Sequence, residues 1–525
     1  MANKALAIPR AAYPEEAGVS SDIIARLIED IEHSGIETHS LMVIRHGKVA
    51  FEQWRKPYGP DYMHIMYSVS KSVTSTAAGF AVSEGLLSLD TRIVDVFPEY
   101  CQNKADEDLE KITLHHLLTM TAGKAVSIMA DRTSANWVKD YIETKQGYTP
   151  GEGWSYINEN TYMVVAMIAK LTGQTLTEYL TPRLYEPLGI EATQWERESN
   201  GIETGGWGLY LKTEDLAKIA LCYLNKGIYN GKQVIPAEWV ELAAADYTEH
   251  IENGAPKNGY GYFIWGCEQE NTYRFDGMFS QFAFVYKDYD AVIVTTSNEL
   301  DEDKALECIA RHDKEMFFDG EAPETVEIPE FSALPELEAR ERQPEQESKI
   351  EGKTIKLTPN PVLAAVGFPL SVLTIPAVYM SVYKGGPMDN IRFNFYEDEC
   401  TMYWTEGKDS NIIHIGLDGN ARYSRMTLGN LKYTACSSAA WLDKKTLEVW
   451  IRPLESINQR RLKFVFKGNS VLVEPSSMPT TEYITSKLAP TLRNEITNET
   501  LYSMFSAVFL NSHKIIEAPQ RGRMK

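Results

Sequence analysis

Apolar and polar residues repeat with two different periods along the first 320 residues, and each period predicts one kind of element. A period of three to four residues predicts an amphipathic helix at 22–34. A period of two predicts a strand pair at 40–45 and 49–54, turned at His46-Gly47-Lys48. The pattern next predicts helices at 113–120, 134–143, 162–172 and 212–225. It then predicts strands at 260–265, 272–275, 281–286 and 291–296, and a last helix at 301–317.

Strands near both ends of this region can share one antiparallel sheet that has helices on its faces and a helical subdomain inserted between them. We therefore predict an α/β (α+β) domain over residues 1–320. A catalytic site would lie at the seam between the sheet and the inserted helices.

The pattern changes after residue 320. Residues 321–352 form a predicted linker, because the stretch 321–350 has nine glutamates, three basic residues and four prolines without an apolar period. Residues 353–525 contain short alternating runs, at 391–396, 401–404, 412–415, 447–451, 462–466 and 470–473, and a helix at 499–510. They predict an antiparallel β domain, with a small barrel as one form it can take.

One segment of the second domain has no charged residue over 357–383, which is long enough to span a bilayer. Its four prolines, at 359, 361, 369 and 376, would interrupt a helix repeatedly. Short buried strands and turns are therefore expected there, and a membrane span is not.

Candidate chemistry begins with Ser68-Val69-Ser70-Lys71 at the head of an apolar helix. Residues three apart share a helix face, so the Ser68 hydroxyl and the Lys71 amine can meet. A lysine accepts the proton of a serine only if its own pKa is lowered, and burial in this apolar helix supplies that shift. The alternative is an N-cap serine beside a solvated lysine.

A second group of residues fits the same chemistry. Tyr156 and Asn158 follow Thr149-Pro150-Gly151, and a tyrosine near Lys71 can relay a proton while the asparagine amide orients the lysine and a substrate carbonyl. The strand at 272–275 leads to Gly277, where a backbone can approach a ligand closely.

These motifs together resemble the serine β-lactamase-like hydrolases of the class C type, which include family VIII carboxylesterases, D-amino-acid peptidases and amidases, and nylon-oligomer hydrolases. The resemblance spans roughly residues 15–318. It rests on SVSK at 68–71, LHHLLTMTAG at 114–123, TPGEGWSY at 149–156, YIN at 156–158, YEPLGI at 185–190 and GGWGLYLKTEDLAKIA at 205–220.

The resemblance implies a β-lactamase-like fold and a role for each site residue. Ser68 would be the acylated nucleophile, with Lys71 and Tyr156 as the general acid/base pair and Asn158 as the polar orienter. The backbone N–H groups of Ser68 and Met278 would form the oxyanion hole.

The chain departs from the family at Phe275-Asp276-Gly277, where penicillin-directed members carry Lys-Thr-Gly or His-x-Gly. Alternation puts Phe275 on the same strand face as Gly277. This predicts a substrate with an uncharged group near Phe275, and it argues against efficient turnover of β-lactams. The alternative is that Phe275 only packs against a helix and that Arg274 reaches the site.

Composition narrows the classes of partner. The net charge of −21 disfavours nucleic acid and anionic membranes, and a hydrophobic fraction of 43% supports packed cores. Six scattered cysteines and the histidine spacing predict neither disulfides nor a metal site, and no cofactor is expected. The first ten residues lack a secretory apolar region, which predicts a cytoplasmic protein.

Two hypotheses follow from the sequence. The first is a serine hydrolase that forms an acyl-enzyme at Ser68 and cleaves a small ester or amide. The second is a catalytically weak binding or sensor protein on the same fold, and β-lactamase or D-amino-acid peptidase activity is a further alternative. The C-terminal domain could cover the site, form a homo-oligomer or only support the fold.

Overall fold

The computed structural model describes residues 6–101, 107–124, 136–191, 193–198, 200–251, 254–358, 388–429, 431–489, 499–511 and 513–525. They divide into two compact units, Met1–Ser332 and Ala333–Lys525. The expectation of buried strands over 357–383 lies outside the described residues beyond Thr358, and so does the start of the helix predicted at 134–143. Within the described ranges, every helix is too short or too polar to cross a bilayer.

The first unit contains eleven strands in its described part. They are β1 (Thr38–Arg45), β2 (Lys48–Trp54), β3 (His64–Ile65), β4 (Gln194–Trp195), β5 (Leu209–Leu211), β6 (Ile228–Tyr229), β7 (Lys232–Gln233), β8 (Trp265–Gly266), β9 (Thr272–Gly277), β10 (Gln281–Tyr286) and β11 (Ala291–Ser297).

Its described α-helices are α1 (Ser21–His33), α2 (Val69–Ser83), α3 (Ile93–Val96), α4 (Leu114–Leu118), α5 (Trp137–Glu143), α6 (Asn158–Thr172), α7 (Leu176–Leu180), α8 (Glu186–Leu188), α9 (Thr213–Leu224), α10 (Ala237–Ala243), α11 (Glu302–Ala310) and α12 (Asp313–Met316). Short 3₁₀-helices lie at Pro14–Ala17, Pro98–Tyr100 and Leu109–Lys111, and a π-helical turn lies at Thr181–Tyr185.

One antiparallel sheet organises this unit, in the order β2-β1-β11-β10-β9-β8. The prediction that strands from both ends share a sheet is confirmed, since Met42 of β1 pairs with Val294 of β11. The tight turn between β1 and β2 is as predicted, because His46 and Gly47 both adopt positive φ, which suits a two-residue hairpin.

Helices cover both faces of this sheet. On one face α1 and α11 pack against β1, β10 and β11, and Leu27, Ile28, Leu41, Phe284 and Ile309 belong to that core. Helices α2 and α9 pack against the other face. The prediction that helices lie on the faces of the sheet is confirmed; α1 buries one apolar stripe, whereas α2 and α9 are buried on nearly all sides.

Two predicted elements differ from the structure. The strand predicted at 260–265 is reduced to β8, because Phe263 takes a positive φ and only an isolated bridge joins Tyr260 to Trp265. The helix predicted at 301–317 is divided between Ala310 and Asp313 into α11 and α12.

The second unit contains α13 (Pro344–Ile350), β12 (Ile355–Leu357), β13 (Met388–Phe395), β14 (Glu399–Glu406), β15 (Asp409–Gly416), β16 (Arg422–Leu428), β17 (Leu431–Trp441), β18 (Thr446–Pro453), β19 (Gln459–Lys467), β20 (Ser470–Met478), α14 (Thr481–Leu488), α15 (Glu499–Leu510), α16 (His513–Ile516) and β21 (Gln520–Met524).

The strands of the second unit form one sheet, in the order β15-β14-β13-β12-β21-β20-β19-β18-β17-β16. Its two ends meet, because the Asn411 amide of β15 bonds the backbone of Thr427 in β16, and Gly416 bridges to Ser438 of β17. The predicted antiparallel β domain is therefore a closed barrel.

The stretch predicted as a linker has more structure than its composition indicates. Its first half packs on the first unit, where Phe331 is buried and its N–H bonds the Gln53 side chain. Its second half includes α13, whose Glu347 accepts a hydrogen bond from Trp441 of the barrel. The division between the two units falls between Ser332 and Ala333.

Candidate active site

Ser68 lies at the N-cap of α2, directly after a residue with unusual backbone geometry. Tyr67 has a φ of 43° although its side chain is bulky and fully buried. A conformation of this kind is costly and persists only where the surroundings impose it. Here the backbone on both sides is anchored, since the Met66 N–H donates to Leu209 O (2.8 Å) and the Val69 N–H donates to Met66 O (3.0 Å).

Lys71 is the centre of the polar network. Its Nζ lies 2.9 Å from Ser68 Oγ, 2.7 Å from Asn158 Oδ1 and 2.8 Å from Gly206 O. A neutral amine has two hydrogens and one lone pair. If the amide oxygen and the carbonyl oxygen take the two hydrogens, the lone pair is left to face the Ser68 hydroxyl, as a general base requires.

Burial favours the neutral form of the Lys71 amine near neutral pH. Lys71 is 1% exposed, and its burial lowers its pKa from 10.5 to about 7. The carboxylates of Glu159 and Asp276 act in the opposite direction, because negative charge stabilises the ammonium form. Desolvation is the larger effect, so Lys71 can exchange a proton with Ser68 at physiological pH.

Tyr156 lies beside the same two residues. Its ring centre is 4.7 Å from Lys71 Nζ, and the neighbouring Ser68 side chain lowers the pKa of its hydroxyl against the larger effect of burial. Burial raises the pKa of Tyr156 far above its usual value, so the phenol stays protonated at neutral pH. In this environment Tyr156 can donate a proton or pass one on.

Three aromatic side chains enclose Tyr156. The ring centres of Trp154, Tyr260 and Trp265 lie 6.0, 6.3 and 5.4 Å from that of Tyr156. Trp154 and Trp265 are only partly buried, so they form an apolar wall at the edge of the site. A wall of this kind favours an uncharged substrate group.

Gly277 ends β9 against the turn that carries Ser68. A Cβ at this position would clash with Met66 O and lie 3.2 Å from Val69 N. The sequence predicted that the backbone at this glycine lies close to a ligand. In the structure it lies close to the backbone at the start of α2. Met278 follows and is partly exposed, so the predicted oxyanion donor is next in the chain to the contact.

Phe275 does not lie where the sequence analysis expected a substrate contact. Its side chain is fully buried, and its ring packs edge-on against Tyr223 of α9 with the centres 5.1 Å apart. The same strand face that carries Gly277 is covered by α9 at this point, so Phe275 is a packing residue. Packing against a helix is the first part of the alternative that the sequence left open; its second part is that Arg274 reaches the site instead.

Arg274 does not supply a free cation either. Its Nε donates to Asp276 Oδ2 at 2.7 Å and its Nη1 donates to Gly266 O at 3.1 Å. Both side chains of this ion pair are about nine-tenths buried. The positive charge of Arg274 is therefore balanced within its own strand.

The structure thus brings Ser68, Lys71, Tyr156 and Asn158 together. It adds one group that the sequence analysis missed, the carbonyl of Gly206. The GGWG run at 205–208 is the sequence feature that could have indicated this contact. A Cβ at Gly206 would lie 3.1 Å from Asn158 Oδ1, and only glycine leaves normal room there.

Known proteins share this fold and parts of this sequence. The family model described as Beta-lactamase matches residues 24–314. A 6-aminohexanoate-dimer hydrolase of Paenarthrobacter ureafaciens is 24% identical over 318 residues, which are 56% of this chain and 81% of that protein. Esterase EstB of Burkholderia gladioli is 25% identical over 175 residues, which are 28% of this chain and 44% of that protein.

A solved structure is also similar. The putative 6-aminohexanoate-dimer hydrolase from Bacillus anthracis has a TM-score of 0.47 and 21% identity, over 54% of this chain and 79% of that one. This chain spans less than two thirds of the length of several relatives that it matches. The family model covers more than half of this chain, from α1 to α12, and so the chain belongs to the β-lactamase family.

Proposed function

We propose that this protein is a serine hydrolase that forms an acyl-enzyme at Ser68 and hydrolyses a small, uncharged ester or amide. The observation that carries the proposal is the contact of a buried Lys71 amine with Ser68 Oγ, while Asn158 and Gly206 hold the same amine. Membership of a hydrolase family supports an enzyme, and the 6-aminohexanoate-dimer hydrolase and the esterase among its relatives suggest the amide and ester classes.

Acylation begins when neutral Lys71 accepts the hydroxyl proton of Ser68. Ser68 Oγ then forms a bond to the substrate carbonyl carbon, and the carbonyl electrons move to its oxygen. The backbone N–H groups of Ser68 and Met278 are the expected donors to that oxyanion. Collapse of the intermediate breaks the bond to the alcohol or amine, which takes a proton from Tyr156.

Tyr156 regains its proton from the Lys71 ammonium, which restores the base. In the second half of the reaction, water attacks the acyl carbon and loses its proton to the same pair, and Ser68 leaves with a proton. The product is a carboxylic acid, and no cofactor enters any step. Each proton moves between groups that already lie beside Ser68.

The charge balance of β9 supports an uncharged substrate. Arg274 is neutralised by Asp276, and Phe275 stands where penicillin-directed relatives carry a cation. A substrate carboxylate would therefore meet no unbalanced positive charge on β9. The apolar wall of Trp154 and Trp265 supports the same preference.

Fluorophosphonate labelling followed by peptide mass spectrometry tests the nucleophile. We expect the probe on the peptide that contains Ser68 and its loss in Ser68→Ala. Ser83→Ala, at the other end of α2, is the matched control and should label like the wild type. Equal labelling of Ser68→Ala, or none of the wild type, would refute the proposal.

A substrate panel tests the class. We expect kcat/KM to be larger for p-nitrophenyl butyrate than for cephalosporins, with D-amino-acid amides and linear ω-amino amides as the amide arm of the panel. Faster turnover of a β-lactam than of the aryl ester would overturn the preference for uncharged substrates.

A further inference from the structure

A second chain of hydrogen-bonded side chains lies beside the catalytic group and has no part in the proposed reaction. Glu37 Oε1 is 3.0 Å from His39 Nε2, and His39 Nδ1 is 2.8 Å from His64 Nε2. His64 Nδ1 is in turn 3.0 Å from Ile65 O. These three contacts connect a carboxylate, two imidazoles and a backbone carbonyl in a single line.

The line ends on the backbone that leads to the nucleophile. His64 and Ile65 form β3, and Ile65 precedes Ser68 by three residues. β3 pairs with β5, which follows the Gly206 carbonyl that holds Lys71. Movement of β3 would therefore reach both Ser68 and its base.

Both imidazoles are enclosed. His39 is fully buried at the irregularity of β1 between Thr38 and Ser40, and its ring stacks on that of Tyr58 at 3.8 Å. His64 is 4% exposed. Water is thus a poor substitute for a lost partner of either imidazole.

Proton counting defines the state of this line. Both ends are acceptors, since a carboxylate and a carbonyl have no hydrogen to give. Each of the three contacts needs one hydrogen, whereas two neutral imidazoles supply only two N–H groups. The line therefore holds a third proton, shared between Glu37 and His39 or placed on His64.

The surroundings place that proton at the outer end. Burial and the neighbouring His39 lower the pKa of His64 to about 3, so His64 is the neutral ring. Glu37 is partly exposed and lies at 3.4 Å from the amide of Asn298. Arg55 is a further charged group near the line. Its backbone N–H donates to His39 O, and its guanidinium donates to Thr38 O and to the Glu32 carboxylate.

We propose that Glu37, His39 and His64 form a buried three-proton relay whose integrity positions the turn that carries Ser68. The effect on Ser68 rests on the proposed function, but the proton count does not. Loss of the third proton at alkaline pH leaves two hydrogens for three contacts. The contact between Glu37 and His39 then opens, and the His39 ring that holds His64 of β3 loses its outer partner in the line. His64 is accordingly a positioning residue, because it acts through Ile65.

Nitrogen-15 NMR of histidine-labelled wild-type protein at pH 7.5 tests the count directly. We expect three hydrogens on the line, either as three N–H groups on the rings of His39 and His64 or as two beside a protonated Glu37 carboxyl, with His64 as the Nδ1–H tautomer. Two ring N–H groups beside an ionised Glu37, which the carbon-13 shift of its carboxyl identifies, would overturn the proposal. This measurement needs no variant and no substrate.

Glu37→Gln separates a relay from simple packing. The glutamine amide can donate to His39 Nε2, so all three contacts survive with two neutral rings, and the count falls from three to two. The native state then no longer binds the extra proton that the unfolded chain releases. The wild type therefore loses stability relative to Glu37→Gln as the pH rises. We expect the unfolding constant of the wild type, divided by that of Glu37→Gln, to rise about tenfold from pH 7.5 to 8.5.

The variant should also retain kcat/KM at alkaline pH where the wild type loses it. His46→Gln is the matched control, because His46 pairs with Asp290 at the surface, and it should follow the wild type in every readout. A constant ratio and an unchanged profile in Glu37→Gln would overturn the relay. If Ser68 fails to label while the count is three, only the proposed function fails.

Discussion

At the scale of single residues, we expect the position of the Lys71 proton to decide activity. Only the neutral amine can accept the proton of Ser68, so kcat/KM should rise with pH through about 7 and be lost below it. Lys71→Ala should lower kcat by about 10²- to 10⁴-fold for p-nitrophenyl butyrate. Lys48→Ala, a surface lysine paired with Glu16, should leave kcat unchanged. Near-wild-type turnover of Lys71→Ala would contradict the role.

The same burial has a cost in stability. The unfolded chain binds a proton on Lys71 up to about pH 10.5, whereas the folded chain releases it near pH 7, so Lys71 contributes stability that rises with pH across that window. Lys71→Met, which removes the buried amine, should raise the midpoint of thermal unfolding at pH 7 by at least about 2 °C. Calorimetry that shows a lower midpoint would contradict this.

Tyr156 should matter in proportion to the need of the leaving group for a proton. Tyr156→Phe removes the donor, so kcat should fall by about 10²-fold or more for an anilide or alkyl amide. The loss should be much smaller for a p-nitrophenyl ester, because nitrophenolate leaves without protonation. Rates for both substrates on both proteins give the comparison. Equal losses would indicate a role other than proton donation.

At the scale of elements, the packing of β9 against the turn before α2 sets the site. Gly277→Ala inserts a Cβ against Met66 O, which must separate β9 from this turn. We expect a destabilisation of about 1–3 kcal/mol and a loss of kcat, measured by urea unfolding and ester hydrolysis. Gly59→Ala is the control, since its Cβ would meet only Tyr62 atoms at 3.7 Å. Wild-type values for Gly277→Ala would refute the close contact.

At the scale of the whole molecule, all residues of the candidate site lie in the first of two units that each have their own core. A chain that ends at Ser332 should therefore fold and still label at Ser68 with a fluorophosphonate. Circular dichroism verifies folding, and mass spectrometry locates the label. A folded but unlabelled fragment would mean that the barrel contributes to the site.

Sequence patterns predicted most of the first unit but less of the barrel. Helix α1 and the hairpin of β1 and β2 are local, so period and turn residues suffice. Strands β12, β16, β17 and β21 were not among the predicted runs. For β17 the reason is that it is buried along most of its length and has no clear alternation. Helix α13 was not predicted because its composition is acidic. Its stability comes partly from the contact of Glu347 with Trp441, which is distant in the sequence.

The sequence by itself determined the family, the type of sheet and the four residues Ser68, Lys71, Tyr156 and Asn158, because their spacing and flanking motifs are properties of the local chain. Only the tertiary structure decided which face of β9 is covered. It shows that Phe275, predicted as a substrate contact, packs against α9. It also supplied the Gly206 carbonyl and the line from Glu37 to His64. These depend on contacts between residues far apart in the chain, which no local pattern encodes.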